Sequence, residues 1–117
     1  MWIKVKTNQD IVKGDVLSFD STSQKWTKAS SLATPLGAAR DDARLSEDQT
    51  YYYVSMQQSG QIEVKSSRLI PDEGGGLNVE NGAVFVDNSS NHPGLICPNF
   101  IGSSQRQAGE LVTIVIR

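Results

Sequence analysis

Alternation of apolar and polar side chains with a period of two is the feature that most limits what this chain can fold into. It runs through Ile3-Lys4-Val5-Lys6 near the start and through Gln61-Ile62-Glu63-Val64-Lys65 in the middle. A strand places successive side chains on opposite faces, whereas an amphipathic helix needs apolar residues three or four positions apart. Because helical spacing is scarce, the chain is predicted to be all-β.

Turn-forming residues separate the predicted strands. Residues 16–20 and 25–29 flank a polar turn and form a predicted hairpin, and a further short strand is predicted to start at Pro35. Asn81-Gly82 lies between two alternating apolar runs, which favours a type I′ turn because both central residues need a positive φ. The near-continuous apolar run at 111–116 predicts a strand in the middle of its sheet.

Three further patterns concern the connections between strands. The charge-dense residues 41–48 predict either one helical turn or a loop, and residues 71–76 predict a loop with no apolar side chain. Gly14, Gly82 and Gly109 each precede an apolar pair by two residues. We interpret this recurrence as a glycine that ends a turn before each strand, rather than as an internal duplication.

Size and charge exclude several classes of protein. The 117 residues fit a single domain, residues 1–117, with 11 Lys and Arg against 13 Asp and Glu. This near-balance predicts no binding to nucleic acid. No apolar run is long enough to span a bilayer, and the N-terminus lacks the features of a signal peptide, so a soluble protein made in a cytoplasm is expected.

Reactive side chains are few, with one His and one Cys. His92 lies in a sequence typical of a turn, and Cys97 lies in an apolar context that favours an inert thiol. A single Cys forms no internal disulfide. Asp41, Asp42 and Glu47 lack the spacing of a calcium loop and are interpreted as a solvated face or an ion-paired surface.

The glycines at 74–76 precede a predicted strand, whereas a phosphate-binding loop precedes a helix. We therefore predict no enzyme activity, no catalytic, cofactor-binding or metal-ligating residue, and no cofactor. The alternative of a small enzyme would use Asp41 and Asp42 with Glu47 as its paired carboxylates.

One stretch resembles a pattern found in virion proteins of tailed bacteriophages. It consists of Gly14-Asp15-Val16 with Asp20, then Trp26-Thr27-Lys28-Ala29, then Pro35-Leu36-Gly37-Ala38-Ala39. The order of these strands and turns is similar to that in small head decoration (cement) proteins, and it also occurs in fibre and other virion proteins. The resemblance covers roughly residues 11–44, and the strand at the C-terminus fits the same kind of small barrel.

The resemblance implies a small antiparallel β-barrel or β-tulip-like domain with at most one short helix. It implies a homotrimer on the outer capsid surface that bridges subunits of the major capsid protein, with no nucleic-acid or membrane partner. Members of this family typically add a terminal arm to the shell. Here the first strand is predicted to begin at residue 1, so binding is expected to use the barrel surface and residues 1–7 as an edge strand.

Five residues are predicted to contact a protein partner. In the first strand, alternation places Trp2 on the face opposite Ile3 and Val5, where it would serve as an exposed anchor. The alternative is that both faces of this strand are packed. Tyr52 is also included among these residues. Alternation puts it on the side opposite Tyr51 and Tyr53, and one of these two sides is expected to be a contact surface. The predicted interface residues are Met1, Trp2, Lys4, Lys6 and Tyr52.

The sequence therefore predicts a non-enzymatic virion protein, most simply a capsid decoration protein that stabilises the assembled head. Such a protein would be synthesised in the host cytoplasm and located on the capsid surface. One alternative is a tail, fibre, baseplate or other virion module. Another is a glycan-binding β domain in which Trp26 or Tyr52 faces the sugar.

Overall fold

The computed structural model describes residues 2–30, 35–68, 75–87, 95–97 and 109–116, and within these ranges the chain is all-β. Among them there is no helix long and apolar enough to cross a lipid bilayer. The strands are β1 (Trp2–Thr7), β2 (Val16–Asp20), β3 (Lys25–Lys28), β4 (Leu36–Ala39), β5 (Arg44–Leu45), β6 (Tyr52–Gln57), β7 (Gly60–Lys65), β8 (Gly75–Glu80), β9 (Ala83–Val86), β10 (Leu95–Cys97) and β11 (Leu111–Ile116).

The first six strands form a sheet that closes into a five-stranded barrel. Its order is β1-β3-β2-β4-β6, and β6 returns to pair with β1, while β5 extends the sheet beside β6. β1 and β6 are antiparallel over all six residues of β1, from Trp2 opposite Gln57 to Thr7 opposite Tyr52. The ring is completed on the other side of β1, where Thr7 pairs in parallel with Trp26.

The remaining strands form a second sheet in the order β7-β11-β10-β8-β9. A parallel bridge between Ser66 and Val84 brings the two ends of this sheet together. β11 pairs with β7 on one side and β10 on the other, so the prediction of a central C-terminal strand is confirmed. The two sheets give the molecule principal extents of 47 × 24 × 23 Å.

Two apolar cores hold the sheets, and β4 contributes to both. The barrel core consists of Ile11, Leu17, Ala39, Val54 and Met56. The second core lies between the second sheet and the outer side of the barrel, and consists of Val16, Ala29, Leu36, Ala38, Val64, Leu77, Val79, Val84, Val112, Ile114 and Ile116.

All four residues of β4 are buried, because β4 forms a wall between the two cores. Leu36 and Ala38 face the second core, while Ala39 faces the barrel core. Gly37 lies against Met56, and a Cβ at Gly37 would come within 2.5 Å of the Met56 sulfur. The small side chains of the Leu-Gly-Ala-Ala sequence therefore allow one strand to be packed on both faces.

Gly14 joins the two sheets through its backbone. Its N–H donates to the carbonyl of Ala39 in the barrel at 3.0 Å, and its carbonyl accepts from the N–H of Lys65 in β7 at 2.9 Å. The φ of Gly14 is +95°, which side-chain-bearing residues rarely adopt. The Gly-Asp pair of the phage-like pattern thus lies at the junction of the sheets.

Asp15 reinforces the same junction with its carboxylate, which is almost completely buried. One oxygen accepts from the backbone N–H of Val12 at 2.9 Å, and the other lies 3.6 Å from the ammonium nitrogen of Lys65. Burial of a carboxylate is costly unless it is paired and hydrogen-bonded, and both conditions are met here. The motif residues Gly14 and Asp15 therefore have a clear structural role.

The local turn predictions are confirmed. β2 and β3 form the predicted hairpin, with Phe19 opposite Trp26. Asn81 and Gly82 have φ values of 47° and 80° and connect β8 with β9, as a type I′ turn requires. The glycines of the recurring pattern, Gly14, Gly82 and Gly109, all have positive φ, which agrees with their interpretation as turn residues.

Two connections differ from expectation or refine it. The predicted loop at 71–76 is too long, because Gly75 and Gly76 belong to β8 and pair with Cys97 and Ile96 of β10. Main-chain ladder bonds need no side chain, so glycine does not prevent pairing. Of the two alternatives for residues 41–48, the loop forms, interrupted by the two-residue strand β5. His92 and Met1 lie outside the described residues.

Candidate binding face

The outer face of the β1–β6 ladder brings together the charged and aromatic side chains predicted for the first strand. Trp2, Lys4 and Lys6 point away from the barrel core, which Val5 contacts from the other face of β1. On β6, Tyr53 shares the outer face, since the alternating Val54 and Met56 are buried in the core. We call this surface, with the adjoining Tyr51, the β1–β6 face.

Each lysine of the β1–β6 face contacts a tyrosine ring. The Lys4 ammonium lies 5.5 Å from the centroid of the Tyr53 ring, and that of Lys6 lies 5.0 Å from the centroid of Tyr51. The two rings pack edge to face with centroids 6.4 Å apart. These contacts place two ammonium groups at defined positions over an aromatic base.

Trp2 lies at the end of the same face and is 49% exposed. The guanidinium carbon of Arg40 is 5.6 Å from the centroid of its ring. The structure therefore agrees with an exposed Trp2 and not with the alternative in which both faces of β1 are packed. An exposed indole positioned by an arginine is the kind of group that anchors protein interfaces.

Exposed apolar side chains occur on this face and on the opposite side of the same strands. Among the described residues, five large apolar side chains are at least 38% exposed. Trp2 and Tyr51 belong to the β1–β6 face, whereas Ile3 on β1 and Leu45 on β5 share the opposite side with Met56 and Tyr52, and Phe19 lies on β2.

The edge of β1 that points towards β3 is open along most of its length. Within the described part of the chain, this edge pairs only at Thr7, so Trp2 to Lys6 have no strand beside them there. An unpaired edge presents main-chain donors and acceptors that another strand can use. Residues 2–6 thus have the geometry predicted for an edge strand, although β1 also belongs to the closed barrel.

A tightly bonded turn borders the β1–β6 face on the side of β5. Asp48 Oδ1 accepts from the Ser46 hydroxyl at 2.6 Å, the Thr50 hydroxyl at 2.7 Å and the Thr50 N–H at 3.2 Å. These bonds, chiefly that from Ser46, hold the pKa of Asp48 below its ordinary value. The turn therefore keeps a carboxylate ionised and in place.

This turn and the β1–β6 face enclose a groove of about 640 Å³, which we call the tyrosine groove. Tyr51 and Tyr53 form its aromatic part, two lysines its basic side and two carboxylates its acidic side. Its lining residues are Lys4, Val5, Lys6, Ser46, Glu47, Asp48, Tyr51 and Tyr53.

Tyr52 is separated from the other predicted interface residues. It lies on the core-facing side of β6, opposite Thr7 and half-buried, whereas Trp2, Lys4 and Lys6 are on the outer face. Trp26, the other aromatic residue of the glycan-binding alternative, packs against the barrel core. The alternation of the tyrosine run already contained the signal that Tyr51 and Tyr53 share the opposite side.

The acidic residues of the enzyme alternative make structural contacts. Asp41 binds Arg44 and accepts from the backbone N–H of Ser55 at 3.0 Å, while Asp42 accepts from the N–H of Lys13 at 2.9 Å. No group of three or more His, Cys, Asp or Glu residues within the described ranges is placed to hold a metal ion.

Comparison with known proteins finds no matching family model, no similar curated protein and no similar solved structure.

Proposed function

We propose that this chain is a non-enzymatic structural protein of a tailed-phage virion, which binds the outer surface of the assembled head and stabilises it by bridging major capsid protein subunits. The observation that carries the proposal is the exposed Trp2 on the β1–β6 face, with the guanidinium of Arg40 over its ring. The resemblance of residues 11–44 to head decoration proteins supports the choice of a capsid as the partner.

The open edge of β1 supports a mode of attachment. A segment of the capsid protein adds to residues 2–6 as a further strand and supplies main-chain hydrogen bonds, which depend little on its sequence. Trp2 and Ile3 then provide apolar contact area on the two sides of the new ladder. A homotrimer is part of the proposal, because three copies would engage neighbouring capsid subunits simultaneously.

The stabilisation is thermodynamic. A protein that binds only the expanded, assembled shell lowers the free energy of that state relative to shells or subunits that lack the site. No chemical step is required of the decoration protein. Its contribution depends on the contact area, the number of attached copies and their affinity.

The test uses expanded heads of the phage whose genome encodes the chain, stripped of the endogenous protein. Purified protein is mixed with these heads, and co-sedimentation and the temperature of head disruption are measured. We expect saturable binding and a higher disruption temperature. Absence of binding to the head lattice, or immunogold labelling confined to the tail, would refute the proposal.

Trp2→Ala tests the role of the β1–β6 face directly. An exposed aromatic anchor is worth roughly 2 kcal/mol, so the variant is expected to bind heads about thirtyfold more weakly. Phe19→Ala is the matched control, since Phe19 is also an exposed aromatic but lies on β2, away from this face. Equal losses in both variants would argue against the assignment of this face.

A further inference from the structure

The tyrosine groove combines features that the proposed capsid contact does not require. Its volume of about 640 Å³ falls within the range of small-molecule sites, roughly 300–1,000 Å³. It lies over the outer face of β6, between the lysines of β1 and the turn that precedes β6. It is therefore separate from the open edge of β1, which lies on the other side of that strand.

The groove keeps its two positive charges unpaired. Among the described residues, no carboxylate lies within ion-pair distance of Lys4 or Lys6, although Glu47 and Asp48 line the same groove. The ammonium groups rest on the tyrosine rings, which leaves their N–H donors available. An incoming carboxylate would form charge-assisted hydrogen bonds with them.

The opposite side of the groove requires donors from the ligand. The carboxylates of Glu47 and Asp48 present acceptor oxygens to the groove, and the hydrogen bonds from Ser46 and Thr50 hold the pKa of Asp48 below its ordinary value. A polyphosphate or a nucleic-acid strand would bring negative charge against this side as well. A ligand with one carboxylate and several hydroxyl groups satisfies both sides at once.

The two tyrosine rings at the base of the groove add an apolar contact surface to its charged sides. Tyr51 and Tyr53 present ring surface against which the C–H groups of a sugar can pack, while their edge-to-face contact holds the two rings in place. We propose that the tyrosine groove binds an acidic saccharide, that is, a sialic or uronic acid unit of a glycan. The carboxylate meets Lys4 and Lys6, and the hydroxyls donate to Glu47 and Asp48.

Nuclear magnetic resonance titration of the full chain tests this inference, with N-acetylneuraminic acid and trigalacturonic acid as probes and galactose as the neutral comparison. Amide shifts are expected at residues 4–6 and 46–53 with the acidic probes, and much weaker shifts with galactose. No localised change at about 20 mM of either acidic probe, which excludes even millimolar affinity, would overturn the proposal.

Two variants separate charge recognition from packing. The double variant Lys4→Gln, Lys6→Gln should weaken acidic-probe binding about tenfold or more, because it removes both charge-assisted donors. Tyr51→Leu should weaken the acidic probes and galactose alike. Lys13→Gln, at an exposed lysine outside the groove, is the matched control and should bind as the parent does.

The same variants decide against other occupants. If the lysine double variant retains full affinity, or if acidic peptides perturb residues 4–6 and 46–53 and neither saccharide does, the inference is wrong. The result is independent of the proposed function, since the titration contains no capsid. A Trp2→Ala variant that loses head binding and retains saccharide binding would show that the two activities depend on different residues.

Discussion

At the scale of single residues, Gly37 has the closest neighbour of the described glycines, the side chain of Met56. Gly37→Ala would place a methyl group 2.5 Å from the Met56 sulfur and 2.7 Å from its Cγ. Because overpacking of a filled core is destabilising, we expect a loss of about 1–3 kcal/mol in the free energy of unfolding. Urea denaturation measures this loss.

Gly109→Ala is the matched comparison, because Gly109 has a φ of +88° and nothing within 4 Å of an added Cβ. Its cost comes from backbone strain alone, about 1 kcal/mol. Adding Met56→Ala should recover part of the loss in Gly37→Ala and none of the loss in Gly109→Ala. Purely additive effects in the first pair would contradict a steric origin.

The residue scale also shows what local pattern predicts well. The positive φ of Asn81 and Gly82 follows from their position between two apolar runs, since few residues adopt this conformation. The exposure of Trp2 follows from alternation within one strand. By contrast, nothing local to Gly37 indicates that Met56 lies against it.

At the scale of elements, the closure of the barrel depends on the contact between β1 and β3. The hydroxyl of the buried Thr7 donates to the carbonyl of Trp26 at 2.6 Å. Thr7→Val removes this donor with little change in shape, so we expect a loss of about 1 kcal/mol, with faster amide exchange in β1 and β3. Thr7→Ser keeps the hydroxyl and should retain the slow exchange, whereas equal exchange in both variants would exclude the hydrogen bond as the cause.

The turn before β6 is expected to respond to acid. The Ser46 hydroxyl, followed by Thr50, lowers the pKa of Asp48 from its ordinary 3.8, so its ionised form is favoured in the folded state. This contribution is fully present above the unfolded-state pKa and is lost as the pH falls through the lowered folded-state pKa.

Asp48→Asn should therefore reduce stability at neutral pH and reduce the further loss of stability as the pH falls below the unfolded-state pKa of about 4. Chemical denaturation of both proteins across this range gives the difference directly. Asp20→Asn is the comparison, because Ser23 and Thr22 lower the pKa of Asp20 in the turn between β2 and β3, which does not line the groove. Parallel pH profiles of Asp48→Asn and the parent would contradict the role given to this carboxylate.

Strand identity and strand pairing differ in how far the sequence predicts them. Alternation and turn residues locate most strands because both act over a few neighbouring positions. The pairing of β1 with β6, which joins Trp2 to Gln57, depends on closing a long loop and on the shape of the whole core. The tyrosine groove follows from that pairing, so the sequence indicates its side chains and not their proximity.

At the scale of the whole molecule, the two cores share β4 and should unfold together. Met56 is fully buried in the barrel core and Ile114 in the second core. Each change to alanine should cost about 2–5 kcal/mol and shift one common transition. Tryptophan fluorescence reports on the barrel, which contains Trp2 and Trp26, and circular dichroism reports on both sheets.

Coincident transitions by the two probes are expected in the parent and in both variants. If Ile114→Ala instead gave an early transition by circular dichroism with unchanged fluorescence, the second sheet would unfold alone. That result would contradict the expectation that β4 and the backbone hydrogen bonds of Gly14 make the two sheets unfold together.

The burial of β4 on both faces also has a consequence for how such a sequence can diverge. A strand with one solvent-exposed face tolerates substitutions at every second position. Leu36 to Ala39 have no such positions, because all four residues are buried. Enlarging any of these side chains would need simultaneous shrinkage in one of the cores. By the same physical argument, the exposed outer face of β1 should accept substitutions that the four residues of β4 do not.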